Sequence, residues 1–412
     1  MVHRDAMGRE FLHTPGPTQI PERVLSAMHH QPYDLADPRF LALAVSCLED
    51  LKRVFRTDGP VIAYAANGHG GWEAALANLF APGDRVLIPE YGHFTRHWAE
   101  QARMLGLDVV APVAADWSRA IDPGVVEEAL GRDAGHAIKA VLVVHTDTAT
   151  GCTTDLAAIR AAIDAARHPA LYVVDAIASL AATPFEMDAW GIDVAIAASQ
   201  KALMSAPGLA FNAVSPRALD AAAANPQPRY YWDWRRRLAQ EMYLRFCGTT
   251  PEHLVFGLRE ALDIIAETGP EAIFARHRRI AAAVHLAVGR WAEAGALQIN
   301  AAEPSERAVT VTTVLHDEAS PAARLRDYAR ANLGVALGGG FGDLVGRVFR
   351  IGHMGWVNEP MILGALGAIE TALIELAVPH GTGGLRAAAE HLAATSGHDA
   401  ASPAVMPIQA VR

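Results

Sequence analysis

Little in this sequence ties the chain to a membrane, a disulfide framework or a nucleic acid. No stretch of about 18 apolar residues runs free of charge, glycine or proline, so no membrane span is expected. The first ten residues hold no apolar run of the kind a secretory signal needs. Only three cysteines occur, Cys47, Cys152 and Cys247. They cannot build a disulfide framework, and without a CxxC spacing they argue against a zinc site, so no metal is expected. A reducing cytoplasm is the expected compartment. Basic residues number 35 against 45 acidic, a net charge of −10 that opposes a nucleic-acid partner. No repeat of fixed period appears, which removes solenoids and propellers. Neither the P-loop nor the dinucleotide-binding fingerprint is complete.

What remains is a globular profile, 51% hydrophobic and 19% charged over 412 residues. Short Val/Ile/Leu-rich runs alternate with helical patterns. Strands are expected near 61–66, 85–90, 108–113, 140–146, 171–176, 194–198 and 209–215, with helices near 72–80, 94–104 and 155–167. Weak alternation within the strands suits burial on both faces of a mostly parallel sheet. After about residue 255 the pattern changes to long helices near 253–267, 271–294, 321–332 and 359–377, with strands near 309–315 and 348–352. We therefore expect an N-terminal arm (1–20), a large α/β domain (21–255), a smaller α+β domain (256–395) and a flexible tail (396–412).

Chemistry concentrates where apolar strands end in polar residues, because ligands of open α/β sheets bind at carboxyl ends of strands. Asp175 closes Tyr172-Val-Val-Asp175, and Lys201 follows Val194-Ala-Ile-Ala-Ala-Ser-Gln-Lys201. An acid and an amine so placed also describe a buried ion pair. The small residues around Lys201 leave room for a flat ligand near the amine. Upstream, Asn67-Gly-His-Gly-Gly71 joins a strand to a helix. It reads either as a tight turn or as a helix N-terminus whose N–H groups attract phosphate. Phosphate cup, Asp and Lys together match the needs of pyridoxal 5′-phosphate: an amine for the imine, and a carboxylate to keep the pyridine nitrogen protonated.

The block Val174-Asp-Ala-Ile-Ala-Ser-Leu180, Met187-Asp-Ala-Trp-Gly-Ile-Asp193, Ser199-Gln-Lys-Ala-Leu203 and Pro207-Gly208 resembles the class V aminotransferases of the fold-type-I pyridoxal-phosphate enzymes. The likeness is greatest to the alanine/serine/aspartate–glyoxylate group and runs from Thr14-Pro-Gly-Pro-Thr18 to Arg350-Ile-Gly-His-Met-Gly355. It implies a homodimer that moves an amino group from a small amino acid to a 2-oxo acid, glyoxylate in preference to pyruvate. By resemblance, Lys201 is the Schiff-base lysine and Asp175 the partner of the pyridine nitrogen. Asn67, Gly68, His69 and Gln200 match the phosphate cup. Phe94 matches the stacking aromatic, unless it is an ordinary core residue. Thr148 matches the hydroxyl near the ring oxygen, unless it caps a loop. Thr249 matches a phosphate ligand donated by the second subunit. Arg350 matches the α-carboxylate anchor, with a structural ion pair as its plain alternative. The loop around Gly16 belongs to the substrate side.

Some positions depart from the glyoxylate-type pattern. Tyr33-Asp-Leu-Ala-Asp-Pro38 replaces a His-Arg pair, and Phe246 stands where relatives often place Tyr. Asp147 and Phe246 are shared with pyridoxamine–pyruvate aminotransferase, which uses free pyridoxamine. That sister has an arginine at the place of Phe341 and an acid near Asn67, and this chain has neither. It remains the alternative, together with lyase chemistry on the same scaffold. The run Arg229-Tyr-Tyr-Trp-Asp-Trp-Arg-Arg-Arg237 reads as a packing segment or as part of a substrate gate.

Overall fold

The computed structural model of the chain describes residues 9–317 and 322–396. The tail expected at 396–412 therefore lies, apart from Ser396, outside the described residues.

Seven strands form one sheet in the order Val61–Ala65, Leu209–Val214, Val194–Ala198, Leu171–Asp175, Ile138–Val144, Arg85–Leu87, Asp108–Val110. All are parallel except Leu209–Val214, which runs against both of its neighbours. The central strands are buried along nearly their whole length, and their side chains divide between two cores. Val141, Val143, Tyr172 and Val174 face one cluster; Leu142, Val144, Val173 and Ile196 face the other. This two-sided burial is why the strands read as apolar runs without alternation.

The helices begin where short polar side chains replace the missing intrahelical partners. Asp37, Asp122, Asp155 and Ser215 each accept a backbone N–H of their helix's first turn. The helix expected at 72–80 instead spans Gly68–Leu79. Its entire glycine-rich lead is helical, because Asn67 caps the end and the glycines clear the sheet.

A second sheet has the order Phe11–His13, Val335–Gly339, Val348–Gly352, Val311–His316, Leu297–Ile299. The helices Pro270–Ala292 and Glu359–Glu375 pack on it around Trp291, Phe349 and Ile369. The N-terminal segment is thus an edge strand of this sheet, parallel to Val335–Gly339. From there the chain passes Lys201 on its way to the large sheet. The last helix, Gly384–Thr395, packs mainly against Pro270–Ala292. No described helix is long and apolar enough to cross a membrane.

Candidate active site

The carboxyl ends of Ile138–Val144, Leu171–Asp175 and Val194–Ala198 lie together, with Val144 opposite Asp175 and Asp175 opposite Ile196. A cavity of about 190 Å³ opens there. Asp175, Lys201, Gln200, Thr148 and Phe94 line it, with Asn67, Gly68 and His69 at one end.

Asp175 is the last residue of its strand and is buried. Its Oδ1 accepts the Ile177 N–H at 2.7 Å, and its Oδ2 accepts the Trp72 indole N–H at 3.1 Å. Burial nevertheless pushes its carboxyl up to about 7. Lys201 stands three residues beyond its strand. Burial, and then the positive Arg350, bring its ammonium down to about 8, while Asp175 and Asp147 oppose the shift. Each group would be costly to charge alone, and each favours the charge of the other. The Lys201 amine donates to the Pro15 carbonyl, and the Thr18 hydroxyl donates to the Lys201 carbonyl at 3.0 Å. Gly16 takes φ +110°, and a Cβ there would overlap the lysine chain. The N-terminal loop therefore reaches the amine only because this residue is glycine.

At the other end, Asn67 accepts the Gly70 N–H at 3.3 Å on its side chain and the Gly71 N–H at 3.2 Å on its carbonyl. Gly68 and His69 are the first two residues of this helix, so their N–H groups have no intrahelical acceptor. The Gln200 side-chain oxygen is likewise buried without a partner. Burial lowers the His69 pKa, as does His97 nearby.

Phe94 is the second residue of the helix His93–Met104. Its N–H donates to Asp147 Oδ2 at 2.8 Å, so a buried carboxylate sets the angle at which this ring enters the cavity. Asp147 also accepts the Ala149 N–H at 2.8 Å, and its pKa is raised by burial. Arg350 lies on the strand Val348–Gly352 and is 5% exposed. Its Nε donates to the Gly339 carbonyl at 2.5 Å and its Nη1 to the Thr148 carbonyl at 2.7 Å. No carboxylate is salt-bridged to it among the described residues. Burial pulls its pKa down to about 10, while Asp147 acts in the opposite sense. A guanidinium this buried and lacking a carboxylate partner calls for an anion.

Thr249 is exposed and does not line the cavity, so within one chain it stands apart from the other residues. Phe246 is buried in the core. Tyr33 packs on Phe256 and donates its N–H to Glu252. In the 229–237 run, Trp234 and Arg237 are buried against Tyr64, while Tyr230 is exposed. Sequence reasoning missed Trp72. It lies one helical turn beyond Gly68, on the same face, and that relation is visible only once the helix is started at Gly68 rather than Trp72.

The residues present fit pyridoxal 5′-phosphate. The N–H groups at a helix N-terminus suit its phosphate, Asp175 its ring nitrogen, and Lys201 its aldehyde carbon. On this sheet, such a site defines a fold-type-I pyridoxal-phosphate enzyme. The chain belongs to the class-V aminotransferases: the family model, aminotransferase class-V, matches residues 10–340. It is 42% identical over 392 residues to the serine–glyoxylate aminotransferase of Methylorubrum extorquens, covering 93% of this chain and 96% of that protein. Among solved structures it resembles ureidoglycine–glyoxylate aminotransferase from Bacillus subtilis (TM-score 0.86, 28% identity, covering 95% of this chain and 100% of that one). It also resembles pyridoxamine–pyruvate aminotransferase from Mesorhizobium loti (TM-score 0.85, 28% identity, covering 94% and 98%).

Proposed function

We propose that this aminotransferase carries an amino group from a small L-amino acid of the serine, alanine or aspartate type to glyoxylate. The observation that carries the reading is one cavity in which Lys201 and Asp175 face the start of the helix Gly68–Leu79, beside an arginine with no carboxylate salt bridge among the described residues. The serine–glyoxylate and ureidoglycine–glyoxylate relatives support glyoxylate as acceptor.

Bound pyridoxal phosphate supplies an aldehyde to take up the amino group and a ring to accept the electrons of the Cα–H bond. The chain's own groups do the rest. Gly68 and His69 N–H groups, with Asn67 and Gln200, hold the phosphate. Asp175 keeps a proton on the ring nitrogen, held in place by Trp72 and Ile177. Phe94 covers the ring and excludes water, and Thr148 borders the ring oxygen. Arg350 grips the α-carboxylate of donor and acceptor alike, while the loop at Gly16 closes the substrate side. Lys201 Nζ would take the proton from the substrate Cα and deliver it to the carbon that carried the cofactor's aldehyde, as general base and then acid. Its depressed pKa makes the neutral amine accessible near neutrality.

We infer also that Thr249 completes the phosphate site of a second subunit, so that the active unit is a homodimer. Its exposure away from its own cavity supports this reading. A fully active, cofactor-loaded monomer in sedimentation would refute it. The three cysteines are unpaired, which supports a reducing cytoplasm as the compartment.

The test is a half-reaction. Enzyme carrying the amino form of the cofactor is mixed with glyoxylate or with pyruvate, and the return of the aldehyde-form absorbance is timed. Glyoxylate is expected to be faster. A faster return with pyruvate would reverse the acceptor. Release of free pyridoxal instead would favour the pyridoxamine-using reading that the Mesorhizobium loti likeness keeps in view.

A further inference from the structure

We propose that Phe341 is the positioning residue of the carboxylate site: its ring, packed by His93 and Arg350, sets the plane of the Arg350 guanidinium. The inference rests on the reading of Arg350 as the carboxylate anchor and deepens it.

Arg350 Cζ lies 4.6 Å from the centre of the Phe341 ring. The His93 ring stacks on the same Phe341 with centroids 4.9 Å apart and planes 12° apart. Phe94 meets it edge-on at 6.0 Å. A guanidinium is planar, and its direction of bidentate grip is the direction of that plane. Two backbone carbonyls tie down Nε and Nη1. They fix two points on the guanidinium, and the aromatic face beside it limits the remaining rotation. The Nη2 edge is left for a carboxylate.

The Phe341 ring is itself held from outside its own sheet. Gly342 follows at φ +51°, and a Cβ there would meet the Trp117 ring at 2.7 Å and His93 Nδ1 at 3.3 Å. Asp343 then pairs with Arg96 through two contacts of 3.0 and 3.1 Å. Arg96 in turn lies 4.4 Å over the Trp117 ring. The turn Phe341–Asp343 is thus fastened to the helix His93–Met104, whose first turn carries Phe94. Capture of the carboxylate and cover of the cofactor ring are set by one contact surface. His93 is held neutral by burial and by neighbouring His97, so it adds no like charge beside Arg350.

Three variants test this: Phe341→Leu, Phe341→Tyr and Arg350→Ala. The readouts are KM for donor and acceptor, kcat, cofactor affinity, and the binding of propionate, an unreactive carboxylate, followed by absorbance of the bound cofactor. Phe341→Leu is expected to weaken propionate and raise both KM values about fivefold, in line with a cation–π contact to a ring that is 40% exposed. kcat and cofactor affinity should stay within about twofold of the starting enzyme, the range of a purely local change. Phe341→Tyr keeps the ring and should rescue binding. Leucine at a partly exposed position leaves the fold intact, and unchanged cofactor affinity checks this. The proposal is overturned if Phe341→Leu leaves KM and propionate binding unchanged while Arg350→Ala weakens both. If Arg350→Ala is equally silent, the carboxylate reading itself falls, and the proposal with it.

Discussion

Lys201 and Asp175 were legible in the sequence because Asp175 ends one apolar strand run and Lys201 follows closely after another, and their partners in space were not. Asp175 is held by Trp72, which is 103 residues away in sequence and belongs to another element. The indole N–H and the Ile177 N–H occupy one lone pair on each carboxylate oxygen, which fixes the carboxylate's orientation. On the proposed function, Asp175→Ala should lower turnover about 10²-fold or more, because it would remove the charge that keeps the ring nitrogen protonated. Trp72→Phe keeps a ring and removes only the donor. It should lower kcat roughly tenfold, the scale of one hydrogen bond to a charged group, with little change in KM. Steady-state kinetics of both variants, with cofactor content checked by absorbance, decide the matter. Full kcat in Trp72→Phe would show that the carboxylate is oriented without it.

At the scale of elements, the decisive one is the helix Gly68–Leu79. Strand–turn–helix was apparent from Val61 onward, but the helix was expected to begin at Trp72. Glycines have low helix propensity, and pattern reading places them outside. Here the Asn67 cap outweighs propensity, and the glycines let the helix end approach Ile177 and Ile196. Asn67→Ala should therefore destabilise cofactor-free enzyme by about 1 kcal/mol, the usual value of such a cap. For a chain of this length that is a Tm lower by roughly 1 °C. Asn67→Ser should restore it. Equal melting of all three proteins would mean that the cap does not hold this end.

Across the whole molecule, burial has left many titratable groups with one preferred protonation state. Among the described residues, eight histidines have lowered pKa values, all with burial as the largest cause: His13, His69, His93, His145, His168, His277, His285 and His353. His277 and His285 are pushed down to about 4. The folded chain then binds fewer protons than the unfolded one between that value and about 6.5. Stability from these groups is complete above about 6.5 and is lost as pH falls toward 4. Asp147, Asp175 and Asp193, raised by burial, act the other way in part of this window, and are three such carboxyls against eight histidines among the described residues. Denaturant unfolding at pH 7.5, 6.0 and 5.0 should show a steady decline. A flat profile would mean that the histidines open to solvent before the chain unfolds.

Sequence alone determined the kind of sheet, the strand ends near which the lysine and the aspartate stand, and the Asn-Gly-His lead that joins the strand at Val61 to a helix. These follow from local causes: apolar runs buried on two faces, and polar residues where the runs stop. Only the tertiary structure decided that the N-terminal segment joins the second sheet and lays Gly16 against Lys201. It also decided that Trp72 supports Asp175, and that Phe341 meets Arg350 and His93. Those contacts join residues far apart in the chain. A hydrogen bond or a stacked ring leaves no periodic trace in the sequence, and its two ends come together only through the packing of whole elements.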